Sequence, residues 1–247
     1  MPAPIFDRIL GGLAKDRSAS FDGSAQLAYA NAANEFNPAN STDLHVAFWY
    51  RFDEIPAATY IALVRAAAGA AATDGWYVQL DGGTGLVTMG YSNGATYVNF
   101  GTHTPVVNTW YFGSFGWTNQ ASPTLGATIY DVNGSIFSSA NAGLGFINRP
   151  ASAMEVAEDV SGTRFKGRID KLSFWFRLPG GGEAAALWNE GNGSTYKRIV
   201  SQGFLTSMVA HYEMDEKAGR AVWKDKHTNL YHLAATGLVR SGLRAGR

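Results

Sequence analysis

Short runs of β-branched and aromatic residues recur along this chain, separated by polar, glycine-containing breaks. The breaks include Asp22-Gly23, Asp74-Gly75, Asp81-Gly82, Asn93-Gly94, Asn133-Gly134 and Asn192-Gly193. Such pairs supply the positive φ angles that tight hairpins need. The runs between them predict strands over residues 44–52, 60–64, 76–80, 86–91, 96–100, 109–117, 127–131, 135–139 and 168–177. Many short strands at hairpin spacing predict an antiparallel sandwich or barrel. Two runs, 44–52 and 109–117, are apolar at both odd and even positions. Strands covered on both faces read this way, so both are expected at the centre of a sheet.

Helical pattern is scarce. It is clearest over residues 183–189, where Ala184, Ala185, Ala186, Leu187 and Trp188 follow Gly180, Gly181 and Gly182. A second helix is expected near the start, where Phe6, Ile9, Leu10 and Leu13 share one face, although Gly11 and Gly12 weaken it. The alanine run 66–72, broken by Gly69, sits between two strands and reads as a loop of small residues.

Composition narrows the class. At 247 residues the chain suits one large sandwich and can bury a core without staples. It has no cysteine, so disulfides, thiolate zinc sites and cysteine nucleophiles are excluded. Basic and acidic residues balance at 20 each, and only 16% of the chain is charged. That is a weak basis for nucleic-acid binding, which needs an excess of Lys and Arg. It also leaves little self-repulsion, which favours self-association. Residues 1–17 lack a secretory pattern, because Asp7 and Arg8 interrupt the apolar stretch. No segment reaches the length of a membrane span. The sequons at Asn40, Asn133 and Asn192 read as chance matches in turns.

Several segments together resemble a known family. Ser20-Phe21-Asp22-Gly23 resembles the opening motif of laminin G-like jelly rolls in the concanavalin A-like lectin/glucanase superfamily. Leu44-His45-Val46-Ala47-Phe48-Trp49-Tyr50 is similar to that family's apolar strand with a central Trp, and Trp110-Tyr111-Phe112 to its next Trp strand. Ile129-Tyr130-Asp131-Val132-Asn133-Gly134 resembles its hairpin. Gly167-Arg168-Ile169-Asp170-Lys171-Leu172 resembles its closing strand, followed by a short helix ending at Leu187-Trp188. The likeness runs from about residue 20 to 195. It implies an all-β, antiparallel two-sheet jelly-roll sandwich, concanavalin-like, with short peripheral helices. Two features depart from the pattern. Three glycines stand where the family has a helix-capping residue. The segment from Val209 to Glu216, followed by Asp225, resembles the family's first strand but comes last. Residues 208–216 are therefore expected to pair beside 168–177, within the same chain as a circular permutation or, as the rival reading, in a neighbouring subunit by domain exchange. The expected organisation is an N-terminal arm over 1–19, the sandwich over 20–200, and a C-terminal segment over 201–247 that supplies one strand and a tail.

Candidate chemistry is thin. The superfamily's glucanases carry two carboxylates on one strand so that both reach one sugar. The nearest match, Glu213-Met214-Asp215-Glu216-Lys217-Ala218, lacks the second glutamate at the required parity. His227 and His232 are not at metal-binding helical spacing, and no phosphate loop, zinc-protease or serine-elbow motif occurs. Among the aromatics, Trp76, Tyr77, Tyr91 and Tyr97 are candidates for stacking on sugar rings, with burial in the core as the competing reading. By resemblance, Asp170 is a candidate ligand for a structural calcium, the competing reading being a salt bridge to Arg168 or Lys171.

These features lead to an expected non-catalytic structural or assembly module, such as a virion protein in capsid decoration, a fibre or a tail, made in a cytoplasm. Its partners would be copies of itself or capsid and tail proteins, docked through residues 2–19 and the basic Arg240, Arg244 and Arg247. The alternatives are a lectin-like carbohydrate-binding module and, last, a glycoside hydrolase. Fold alone does not choose among them.

Overall fold

The computed structural model describes residues 17–24, 26–29, 35–39, 41–56, 60–68, 74–143, 145–147, 153–157, 164–216, 220–236 and 240–243. These form two antiparallel eight-stranded sheets packed face to face. The first sheet runs in the order β10 (Gly134–Ala142), β9 (Thr124–Asp131), β8 (Tyr111–Trp117), β3 (Leu44–Phe52), β12 (Lys166–Trp175), β1 (Arg17–Asp22) and β16 (Arg240–Leu243), with β13 (Met208–Tyr212) also on β12. The second runs β14 (Val222–Trp223), β15 (Leu233–Thr236), β2 (Gln26–Tyr29), β11 (Met154–Val156), β4 (Ile61–Ala68), β5 (Asp74–Asp81), β6 (Leu86–Asn93) and β7 (Tyr97–His103).

The doubly apolar strands lie where their pattern requires. β3 pairs with β8 on one side and β12 on the other. Val46, Phe48 and Tyr50 point into the core between the sheets. Ala47 and Trp49 point the opposite way into a second apolar cluster. The main core is rich in aromatics, among them Phe48, Trp76, Phe115, Trp117 and Phe174, all fully buried.

β12 organises the rest of its sheet. Along its first half it pairs with β1, from Ala19 opposite Ile169 to Asp22 opposite Lys166. Along its second half, beyond a bulge at which Lys171 has φ 50, it pairs with β13, from Leu172 opposite Tyr212 to Trp175 opposite Met208. The C-terminal strand thus lies end to end with the opening strand and does not replace it, which is the difference from a simple permutation. Nor is the remainder of the C-terminal segment a tail. β14 and β15 extend the second sheet through β2, and β16 extends the first beyond β1. The sandwich therefore spans residues 17–243 where 20–200 was expected, and Arg240 opens a strand in place of a free arm. The predicted N-terminal helix, Arg244 and Arg247 lie outside the described residues.

Two local readings change. Ala66, Ala67 and Ala68 continue β4 as strand. Asp74-Gly75 lies inside β5 opposite them and is not a turn. Gly75 has φ +88, and a Cβ there would sit 1.9 Å from the Ala66 carbonyl oxygen, so only glycine fits.

Between β12 and β13 the chain forms α1 (Glu183–Trp188), a 3-10 turn (Asn189–Gly191) and α2 (Tyr196–Ser201). Gly182 gives α1 no side-chain cap. Glu183 compensates: its carboxylate accepts the Gly180 N–H at 2.9 Å and pairs with the Arg177 guanidinium at 2.6 and 2.7 Å. This fork ties α1 to the end of β12. Among the described residues no helix is long and apolar enough to cross a membrane.

Candidate functional site

Each sheet has an outer face, and the two differ. On the first sheet, Trp49, Phe112 and Trp175 point outward and are buried with Leu187 and Ile199 of the helical segment and Met208 at the start of β13. The polar groups there serve packing. His45 stacks on Trp175 with centroids 4.7 Å apart and meets the Ser114 hydroxyl at 2.8 Å. Burial, helped by the nearby Arg177 charge, lowers its pKa to about 3 and keeps it neutral. Ser173 Oγ lies 2.7 Å from His211 Nδ1, and His211 Nε2 lies 3.5 Å from Glu213 Oε1. This sequence of groups superficially resembles a nucleophile, base and acid. Ser173 and His211 are nevertheless buried, and Glu213 is occupied in accepting the Tyr196 N–H at 2.6 Å. Burial works against the Glu213 charge, but His211, that N–H and Lys171 outweigh it and hold the carboxyl below its ordinary value. The chain of contacts fastens the start of α2 to β13.

The outer face of the second sheet follows from its register. Arg65, Tyr77, Gly90 and Asn99 form one row across β4 to β7. Ala62, Gln79, Thr88 and Gly101 form the next. The Tyr77 phenol donates to Asn99 Oδ1 across Gly90. A Cβ at Gly90 would lie 2.6 Å from the Tyr77 hydroxyl oxygen, so glycine makes this crossing possible. Burial raises the Tyr77 pKa, with Tyr97, Asp81 and Tyr60 adding to it from nearby, so the phenol remains a donor. Arg65 is paired with Glu155 at 2.8 Å. Tyr60 and Tyr97 flank this polar centre and are 43% and 46% exposed. Asp81, at one end, accepts N–H groups of Gly83 and Thr84 at 2.8 and 3.1 Å.

The four aromatic candidates from the sequence therefore separate. Trp76 and Tyr91 are fully buried in the core. Trp76 donates to the Phe36 carbonyl at 2.7 Å and packs on Trp117, and Tyr91 donates to the Gly145 carbonyl at 3.3 Å. They are corrected to core residues, because no sugar can reach rings on the inward side of β5 and β6. Tyr77 and Tyr97 are on the outer face, Tyr97 as an exposed ring and Tyr77, only 2% exposed, as a donor held by Asn99. Tyr60 was missed, although it falls at the outward parity of β4, one position before Ile61.

Asp170 is also reassigned. It is fully buried beside the β12 bulge, and the Lys171 ammonium approaches Oδ2 at 3.3 Å. A cation of the protein's own already neutralises it, so the calcium reading gives way to the salt bridge. Among the described residues no group of three or more His, Asp or Glu side chains could hold a metal ion. The Glu213–Glu216 carboxylates do not converge on a shared cleft. Glu213 fastens α2, Asp215 is exposed, and Glu216 accepts the Lys224 N–H at 3.0 Å.

No protein-family model matches the chain, and no curated protein sequence matches it. Solved structures are similar to it. One is a candidate carbohydrate-binding protein from Bacteroides ovatus, with a TM-score of 0.60 and 9% identity over 94% of this chain and 61% of that one. The present chain thus spans about three-fifths of that protein's length. The LG1-3 region of the laminin alpha2 chain gives a TM-score of 0.46 and 13% identity, over 65% of this chain and 31% of that one. Domain 4 of a GH43 extracellular arabinanase from Geobacillus stearothermophilus, solved with arabinotriose, gives 0.45 and 12%, over 72% and 76%. The first of these, with the sheet order above, establishes a concanavalin-like jelly roll, the fold that the sequence motifs resemble.

Proposed function

We propose that this protein is a non-catalytic carbohydrate-binding module that holds a neutral glycan against the outer face of its second sheet. The observation that carries the reading is the pair of exposed rings, Tyr60 and Tyr97, on one sheet face, with Asn99 exposed beside Tyr97 and the polar groups Arg65, Tyr77, Gln79 and Thr88 buried behind them. A pyranose presents an apolar C–H face and a polar rim. Tyrosine rings receive the first, and the exposed Asn99 can bond the second. The one cation of the row, Arg65, is paired with Glu155, so the face carries no excess charge to select an acidic sugar. The non-catalytic part rests on the carboxylates. Glycosidases set two of them across the scissile bond. On this face Glu155 serves Arg65, and Asp81 serves its own turn. The Bacteroides ovatus protein of the same fold is itself a candidate carbohydrate binder, which agrees with the reading.

The assembly role expected from composition has one structural feature in its favour, the outer edge of β10, with which no described strand pairs. Nothing among the described residues points to a virion.

A glycan array followed by calorimetry with the best neutral oligosaccharide tests the proposal. Tyr60→Ala and Tyr97→Ala should each weaken binding about tenfold, as loss of an aromatic anchor does, with the melting temperature unchanged. An array without neutral ligands, or affinity that survives both substitutions, overturns it.

A further inference from the structure

The four ends of the two sheets are protected very differently. An open strand edge is a row of unpaired N–H and C=O groups, and proteins guard it with charge, proline or shortness. β14, at one end of the second sheet, is two residues long and lies between the exposed Arg220 and Lys224. β16, on the same side of the first sheet, has four residues and opens with an arginine. β10, at the opposite end of the first sheet, is nine residues long, Gly134–Ala142, and exposed along most of its length. Its sequence, GSIFSSANA, contains no charge and no proline, and Ile136 is 47% exposed. Its one irregularity is a bulge between Ser135 and Phe137. Among the described residues nothing pairs with its outer edge. β7 ends the second sheet on the same side: Phe100 of β7 and Phe137 of β10 have ring centroids 5.8 Å apart.

We infer that the β10 edge is an interface for a second copy of this chain, joined by antiparallel strand addition about a twofold axis. Three observations select this occupant over a free peptide. An antiparallel edge is its own complement under twofold rotation. Pairing β10 with β10 about Ser138 sets Ser, Ala, Asn and Ile side chains against one another and brings no like charges together. The interface side also presents two sheet ends, β10 and β7. A second sandwich continues both layers, whereas a peptide could cover one. Zero net charge removes long-range repulsion between the copies. Under the glycan reading, on which this one consequence rests, the dimer sets two Tyr97-bearing faces side by side in one layer. A polymeric glycan can then be held at two points with a gain in avidity.

Sedimentation equilibrium on the full chain, from micromolar to hundreds of micromolar, tests the interface without any glycan. The wild type should form a dimer. Ser138→Lys combined with Ala140→Lys, at exposed positions of β10, should weaken dimerisation by at least about tenfold. Val222→Lys on β14 should leave it unchanged. Circular dichroism and melting temperature should match the wild type in both variants. A wild type that stays monomeric throughout, or a dimer as strong in the double-lysine variant, overturns the inference. Affinity for a short monovalent glycan should be equal in wild type and double-lysine variant, so a failure of glycan binding is read separately from a failure of the dimer.

Discussion

On the outer face of the first sheet, Trp49, Phe112 and Trp175 lie beneath Leu187 and Ile199 of the helical segment. On the outer face of the second, Tyr77, Gln79 and Thr88 take the corresponding outward positions; no described helix lies over them, yet they are only 2%, 7% and 2% exposed. Both faces come from the same strand alternation. An apolar outer face has to be covered, and the chain spends the residues between β12 and β13 on doing so. On the second face the inner rows, Arg65, Tyr77, Gln79 and Thr88, are polar but buried, and exposure is confined to its margins at Tyr60, Tyr97 and Asn99. On the proposed function, the difference puts stability on one side of the sandwich and glycan recognition on the other.

The largest test of that division removes packing from the covered face. Trp175 is fully buried, stacks on His45 and donates to the Phe204 carbonyl at 2.8 Å. Trp175→Ala should cost about 3–5 kcal/mol in urea unfolding, the range for emptying a buried aromatic site. Glycan affinity per folded molecule should be unchanged. A loss of affinity at constant folded fraction would show that the two faces are coupled.

A smaller effect comes from acid. His45, with a folded pKa of about 3 against 6.5 when free, stays neutral while its unfolded counterpart takes up a proton. The unfolded state therefore binds more protons below pH 6.5. The His45 contribution is complete above that value and is lost as pH falls toward 3. Between pH 7 and 5 the loss is about 2 kcal/mol. His103, lowered to about 4 by burial, acts in the same direction but more weakly, since it is partly exposed. Urea melts at the two pH values should show the drop, and His45→Gln should flatten it. Equal slopes in wild type and variant would remove His45 from the account. Affinity should stay level over the same range, because the rows of the second face carry no histidine.

The strands that carry their own signal were legible in the sequence. β3 was found to the residue because its apolar pattern on both parities reflects core on one side and helices on the other. β2, β11 and β14 to β16 were not, since two to four residues hold no periodicity and are kept extended by distant partners. Trp76 and Tyr77 were offered together as sugar platforms, yet adjacent strand residues point to opposite faces. The alternation was present: Trp76, Val78 and Leu80 against Tyr77, Gln79 and Asp81. Applied to β5, it separates the face turned to the core from the face turned away from it. Tyr60 escaped notice because it stands at the very start of its predicted strand, and its place at the Asp81 end of the face depends on the β4–β5 register, which sets Ile61 opposite Leu80.

Fluorine NMR of protein labelled with 3-fluorotyrosine, titrated with the bound oligosaccharide, tests the central claim most directly. The chain has 11 tyrosines, spread over both faces and the core. Tyr60 and Tyr97, assigned through single Phe substitutions, should shift with saturation. Tyr130 and Tyr196, on the covered side, and Tyr91, in the core, should not move. Shifts confined to Tyr130 and Tyr196, with Tyr60 and Tyr97 unchanged, would contradict the assignment of recognition to the second sheet.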